Sequence, residues 1–372
     1  MIIGIDGNEA NVAQRVGSNQ YAYELLKAIS AKRIGHRVVV YLRDQPLPDM
    51  PKPGDNWQYR VIKPRKFWTQ FRLPLDLYLH KPRSDVFFTP GHYAPRWSPV
   101  PTVITVMDLG YLWFPEQFTK KDLYQLTTWT ERSIKSASHI FAISESTKND
   151  IIKAYKIDPE KITVTYPGYD EERFNTGVKD QESKRVKEKY NIKSDYVLFL
   201  STLKPSKNIE GLLEAFKHII SHVSHITLVI AGKKGWLYET ILQKVKDLGL
   251  ERRVIFTDFV SDKDVPALMA GARVFVLPSF WEGFGIPVVE AMACGVPVVV
   301  SNAGSLPEVI GGAGIIVDPY DSEDIARGIK EALSDKNKLE QRGLKQVKKF
   351  SWEVCGQKTL DVLEKIQEGK RC

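Results

Sequence analysis

The sequence predicts an α/β protein made of two doubly wound parallel-sheet halves, and three observations predict it. Short β-branched runs alternate with amphipathic helical stretches along most of the 372 residues, the pattern of parallel strands joined by crossover helices. The alternation breaks once, at a charged stretch poor in apolar residues (175–195), and then restarts. The length itself favours two domains, since domains mostly run to about 100–200 residues.

In chain order, MIIGID, HRVVVYL, SDVFFTP, TVITVMD, SHIFAIS and KITVTYP read as the strands of the first half. Helical spacing falls on residues 20–34 and 119–138. The charged stretch NTGVKDQESKRVKEKYNIKSD reads as a surface connection between domains. In the second half DYVLFLS, ITLVIAG, RVIFTDF, ARVFVLPS, VPVVVSN and GIIVDP are the strands, with helices at residues 209–221, 237–248, 263–269 and 322–334. The expected boundaries are 1–175 for the first domain, 176–350 for the second, and 351–372 for a C-terminal helix packing back on the first. Ligands of open parallel sheets bind at the carboxyl ends of strands, so two such domains facing one another imply a site in the central cleft.

Bulk composition narrows the function classes. Hydrophobic residues make up 43% and charged residues 26%, ordinary for a globular protein. No run approaches the roughly 18 apolar residues of a membrane span, and MIIGIDGNEAN lacks the basic region and long apolar core of a signal peptide. Cys294, Cys355 and Cys372 are too few and too scattered for a disulfide framework or a zinc site. A reducing, cytoplasmic setting follows. The net charge of +8 and pI near 9.1 suggest an anionic partner: a nucleotide, a phosphate or a membrane surface. No nucleic-acid-binding motif is present, so nucleic acid is not an expected partner.

The most informative stretch is SFWEGFGIPVVEAMACGVPVVVSN, residues 279–302. It looks bound for a core yet carries Glu282 and Glu290, and each carboxylate there needs a partner, a proton or a ligand. Pro287 suits the first turn of a helix IPVVEAMAC, and Gly295 suits its left-handed end. That puts Glu282 on the strand-to-helix loop and Glu290 about one turn into the helix. Gly283 and Gly285 leave backbone N–H groups approachable at a helix N-terminus, which attracts anions. The plainer reading is that Glu290 merely complements the helix dipole; it does not account for both carboxylates and the glycines between them.

EGFGIPVVE resembles the E-x7-E signature of retaining glycosyltransferases of family 4, which have the GT-B fold of two Rossmann-like domains. TLKPSKNIEGLLEAF resembles the donor-phosphate segment of that family, and LVIAGKKGW, FVSDKDVPALMAGA, VFVLPS, EAMACGVPVVVSN, SLPEVIGGAGIIVDP and FSWE resemble further segments in family order. IGIDGNEA, GSNQYAYELL, DVFFTPGH and VMDLGYLWFPEQF do so more loosely. The resemblance implies that Glu290 holds ribose hydroxyls. Glu282 would lie against hydroxyls of the donor sugar, beside backbone N–H groups of Phe284, Gly285 and Ile286. Lys207 would neutralise the departing pyrophosphate, with Thr202 and Lys204 on the same loop. Gly17 and Ser18 would face donor phosphates or acceptor, and residues 259–262, beginning Phe259 and Val260, would border the base. Asp108 is carried over as a catalytic candidate.

The sequence departs from the family where Ser206 stands for an arginine before Lys207, where Ser201 and Thr202 replace a glycine–arginine pair, and where Met107 replaces the histidine of His-Asp-Leu. His92 in TPGH is the nearby histidine that remains, on the acceptor side. The implied activity is a retaining, metal-independent transfer of a hexose to a glycan or lipid-linked glycan. GDP-mannose is the first expectation for the donor, and a UDP-sugar or a non-catalytic nucleotide-sugar-binding module is the alternative. No cofactor is expected, and no metal, on the expectation that no Asp-x-Asp pair occupies a strand-end loop. Residues 60–83 carry Arg60, Lys63, Arg65, Lys66, Arg72, Lys81 and Arg83 against Asp76 alone, interleaved with Phe67, Trp68 and Phe71. Helical spacing would put Trp68, Phe71 and Leu75 on one face, for an anionic membrane or an acidic acceptor; the competing reading is a core-facing helix with a solvated basic rim.

Overall fold

The computed structural model describes residues 1–32, 35–178, 180–221, 223, 225–235 and 238–369. Ile34 and Leu237, expected at helix ends, together with Trp236 and Cys372, lie outside the described residues. The chain divides into two compact units, Met1–Gly168 with the stretch from Ser351 onward, and Tyr169–Phe350.

The first unit holds seven strands: β1 (Ile2–Asp6), β2 (Arg37–Leu42), β3 (Trp57–Val61), β4 (Val86–Thr89), β5 (Thr102–Val106), β6 (His139–Ala142) and β7 (Ile162–Val164). They lie in the order β3-β2-β1-β4-β5-β6-β7, every neighbouring pair parallel. All residues of β4, β5 and β6 are buried, which accounts for their unbroken apolar reading. The strand β3 is an addition to the expected set: a half-buried edge strand whose mixed sequence WQYRV carries little strand signal. Helix Trp352–Gln367 belongs to this unit and packs on helix Ser18–Ala31. A Cβ on Gly356 would lie 3.1 Å from that of Ala28, the Tyr21 and Trp352 rings meet edge to face at 5.7 Å, and Lys358 donates to the Val164 carbonyl at 2.7 Å.

The second unit holds β8 (Asp195–Leu200), β9 (Ile226–Ala231), β10 (Val254–Asp258), β11 (Val274–Leu277), β12 (Val298–Ser301) and β13 (Ile315–Val317). Their order is β10-β9-β8-β11-β12-β13, again all parallel. The charged stretch 175–195, expected as a surface connection, instead contains a helix, Asp180–Lys189, of this unit. Its one fully buried side chain is Val186. Its cations do the rest: Arg185 and Lys189 reach the buried carboxylate of Asp264 at 2.7 and 2.5 Å. Tyr190 and Ser261 add hydrogen bonds to the same group, and these partners hold its pKa well below the usual carboxylate range despite burial. A count of apolar residues misses a helix anchored by ion pairs.

Where the chain leaves the first unit, a Cβ on Gly168 would sit 2.0 Å from the Trp352 backbone nitrogen and 2.5 Å from the Ser351 carbonyl carbon. Both obstacles are backbone, so Gly168→Ala must push the two crossings apart. We expect it to cost about 1–3 kcal/mol and to lower Tm in a thermal melt; an unchanged Tm would mean the crossing yields without strain.

Candidate functional site

In the second unit the strand order reverses between β8 and β11, so the loops that follow these strands diverge from adjacent ends and leave a crevice. The loop after β8 closes with the turn Pro205–Lys207 and ends at Asn208. Asn208 adopts the left-handed conformation (φ 53°), one asparagine tolerates, and its side chain donates to the Pro319 carbonyl at 2.6 Å. The loop after β11 is tied to it by a hydrogen bond from the Phe280 N–H to the Ser206 carbonyl, 2.9 Å.

This tie brings the charged groups together. Lys207 Nζ lies 2.5 Å from Glu282 Oε1, and the two side chains are only 12% and 13% exposed. Ser279 Oγ donates to the same carboxylate oxygen at 2.8 Å. Both bonds fall on Oε1, and no hydrogen bond among the described residues engages Oε2. The Glu282 backbone is clamped as well: the Ser305 N–H and hydroxyl both donate to its carbonyl at 3.1 Å. Gly304 (φ 59°) closes over that carbonyl so tightly that a Cβ there would lie 2.4 Å from it.

Gly285, at φ 89°, precedes helix Ile286–Ala293, which has Pro287 in its first turn and is followed by Gly295 at φ 72°. Pro287 has no N–H and the Val288 N–H donates to the Gly285 carbonyl at 2.9 Å, so it is the N–H groups just before them that face out from the helix start and attract negative charge. Gly283 is buried, and so is Phe284, its ring edge-on to Phe350 at 5.3 Å. Phe284 therefore offers backbone, not side chain. Glu290 is half-buried one turn into the helix, and burial together with its charge pushes the Cys294 thiol up to about 12. Thr202 and Lys204 are half-buried on the loop after β8, which is tied to the loop after β9 by the pair Leu203 N–H to Lys233 carbonyl and Gly235 N–H to Leu203 carbonyl, both 2.9 Å. Phe259, after β10, is 45% exposed with Lys233 Nζ 5.1 Å from its ring centre, whereas Val260 is buried. Because the sheet is all parallel, these strand-end residues share its carboxyl edge.

In the first unit Gly17 (φ 56°, ψ −120°) precedes helix Ser18–Ala31, with open space where its Cβ would be. The first turn's polar side chains are engaged by Glu9, which accepts from Asn19 at 2.7 Å and Ser18 at 3.3 Å. His92 docks on the position where the family histidine is missing: its Nε2 accepts the Met107 N–H at 3.1 Å. That assigns the proton to Nδ1, which is buried without a hydrogen-bond partner among the described residues. Burial lowers the His92 pKa against the opposing charge of Asp108. Asp108 accepts from the Gly110 N–H at 2.8 Å. Burial, and then that same charge, raise Asp150 to about 6.

Two expectations need correction. Trp68 is 2% exposed and packs with Tyr41, Leu73, Leu77 and Phe87, its indole N–H donating to the Ile62 carbonyl at 3.1 Å. It cannot present its ring to an acceptor or share a surface with Phe71 and Leu75; a widened, π-helical turn at Trp68–Arg72, with the Arg72 N–H reaching the Phe67 carbonyl at 3.4 Å, shifts the helical phase. An Asp-x-Asp pair does occupy a strand-end loop, Asp262 and Asp264 after β10. The Asp264 carboxylate is committed to Arg185 and Lys189, which leaves it unsuited to hold a cation. Ser279, Glu9 and Asp150 were not singled out from sequence. Ser279 and Glu9 lay within quoted segments, but only folding shows which carboxylate or hydroxyl each one meets.

The Lys207–Glu282 contact is testable directly. Removing either partner leaves a largely desolvated charge, so Lys207→Ala and Glu282→Ala should each lose about 1–3 kcal/mol. In urea unfolding the double variant should lose less than the sum by about 1 kcal/mol or more. Strict additivity would mean the pair is not formed in solution.

Comparisons with known proteins give the family and the fold. Residues 16–173 match the family model described as Glycosyltransferase Family 4, and residues 180–349 match that of Glycosyl transferases group 1. The O-antigen chain mannosyltransferase B of Escherichia coli is 34% identical over 330 residues, covering 87% of this chain and 82% of the relative. Among solved structures, the sucrose-phosphate synthase of Thermosynechococcus elongatus superposes with a TM-score of 0.79 at 19% identity, covering 99% of this chain and 100% of the other. Anabaena HepE, in complex with UDP and glucose, superposes with a TM-score of 0.73 at 22% identity, covering 98% and 99%. With two parallel-sheet Rossmann-like units and this relationship, the chain belongs to the family 4 glycosyltransferases and has the GT-B fold.

Proposed function

We propose that this glycosyltransferase moves mannose from GDP-mannose to a glycan or lipid-linked glycan, with retention of configuration and without a metal ion. It would work in the cytoplasm, peripheral at the inner face of the membrane where such acceptors are anchored. The observation that carries the reading is the Lys207–Glu282 contact at the switch point, beside the N-terminus of helix Ile286–Ala293. The similarity to a mannosyltransferase favours mannose among the hexoses.

Breaking a glycosidic bond to a nucleoside diphosphate develops negative charge on phosphate and positive charge at the anomeric carbon. Lys207 and the helix N-terminus would stabilise the first. Glu282, with Oε2 available, would accept from sugar hydroxyls, and Glu290 from the ribose. With Glu290 given to the nucleotide, Glu282 and Glu290 would not flank a single bond, so ordinary glycosidase chemistry fits poorly. In the first unit, a neutral His92 with a proton on Nδ1 is suited to donate a hydrogen bond, and Asp108 stands on the next strand-end loop as the catalytic candidate.

A panel of nucleotide sugars, read by nucleoside diphosphate release and product anomericity, tests the proposal. Turnover is expected with GDP-mannose, giving an α product from the α donor and a rate unchanged by EDTA. Turnover only with a UDP-sugar, an inverted product, or a chelator-sensitive rate restored by magnesium would each overturn the corresponding part. Lys207→Ala should lower kcat by roughly 10²–10³ with less effect on donor affinity. Glu290→Ala should weaken GDP binding by about 1.5–3 kcal/mol per lost hydrogen bond in calorimetric titration; unchanged affinity would reduce Glu290 to a helix charge.

A further inference from the structure

We propose that the outer face of the turn and helix at Trp68–Arg72 and Leu73–Leu79 docks on an anionic lipid bilayer. The inference rests on the lipid-linked form of the acceptor reading and gives it a surface. The segment is apolar on two opposite sides. One side, Trp68, Leu73 and Leu77, is spent on the core. On the other, Phe67, Phe71, Leu75 and Leu79 are 62%, 48%, 52% and 71% exposed, and Trp97 from a neighbouring loop is 50% exposed. These side chains form a patch, not scattered singles: the Phe67 and Phe71 rings meet at 6.1 Å, and Phe71 and Trp97 at 6.0 Å. A contiguous exposed apolar patch marks a surface that takes a partner. Phe67 also holds a left-handed backbone conformation (φ 56°), rare for an aromatic residue, while its ring gains little packing.

Charge identifies the partner. Lys63, Lys66, Arg72 and Arg96 are exposed around the patch and form no ion pair among the described residues. Lys66 and Arg96 lie over the Phe67 and Trp97 rings at 5.4 and 4.9 Å. The carboxylate of Asp76 is neutralised by a two-bond contact with Arg60, 2.6 and 2.5 Å. Large apolar side chains ringed by unpaired cations match the layered chemistry of an anionic leaflet, phosphates outside and acyl chains beneath. No helix among the described residues is long and apolar enough to cross a membrane, so the contact is a surface one.

Vesicle flotation tests this without donor or acceptor, so failure of the transferase assay leaves it standing. The protein should float with phosphatidylglycerol-containing vesicles, and much less with pure phosphatidylcholine or in high salt. The triple variant Lys63→Ala, Lys66→Ala, Arg72→Ala should lower the partition coefficient about 100-fold. Phe67→Ser, Phe71→Ser, Leu79→Ser should lower it at least about tenfold. Both sets are exposed, so circular dichroism and transfer to a water-soluble acceptor should match wild type. Binding that ignores lipid charge and salt, or that either triple variant leaves intact, would overturn the proposal. So would a wild-type dimer in sedimentation that the serine variant dissociates, since the face would then be an interface between copies.

Discussion

Burial of both faces of two all-parallel sheets is the constraint from which the rest of the structure follows. Strands such as β4, β5, β11 and β12 are buried at every residue, so polar chemistry is expelled from the sheet faces to the strand ends. Parallel strands send all their outgoing loops to one edge. Where the strand order reverses, neighbouring loops turn towards opposite faces and leave room for a ligand. In the second unit that place lies between β8 and β11, and there Lys207 from one loop meets Glu282 from the other.

A lysine and a glutamate so little exposed would each be costly alone, and the contact between them offsets part of that cost. In this structure they satisfy one another. On the proposed reading, a nucleotide sugar exchanges these partners: phosphate takes the ammonium, and sugar hydroxyls take the carboxylate. The loops need little rearrangement for this, because Asn208, Ser305 and the Phe280–Ser206 hydrogen bond already hold their backbones. Such preorganisation lets electrostatic stabilisation act without reorganisation cost at the moment of reaction. The first unit offers a different environment, in which burial governs protonation: His92 is kept neutral, and Asp150 is raised to about 6 beside Asp108.

The Trp68–Leu79 segment shows how one stretch serves the core and the surface together. A regular helix from Trp68 onward would place Trp68, Phe71 and Leu75 on one side. The wider π-helical turn over Trp68–Arg72 changes the phase, so Trp68 points inward and Phe71 and Leu75 outward. Two apolar faces result from a pattern that, read with a single helical period, shows one.

Strand alternation, the turn residues Gly285, Pro287 and Gly295, and the spacing of Glu282 and Glu290 were all legible in the amino-acid sequence. These are local properties, set by hydrophobic period and by which residues tolerate a left-handed backbone. Lys207 and Glu282 could each be named from their segments. Their contact could not, because it joins residues 75 positions apart through a strand order that no local signal encodes. The same holds for helix Asp180–Lys189, read as a linker until Asp264 gathers its cations, and for Trp68, whose burial depends on a local change of helical period. Local sequence determined the elements and the chemical groups available to the site; long-range packing decided which of those groups meet and which are sealed away, since a side chain's partners depend on neighbours brought in from elsewhere in the chain.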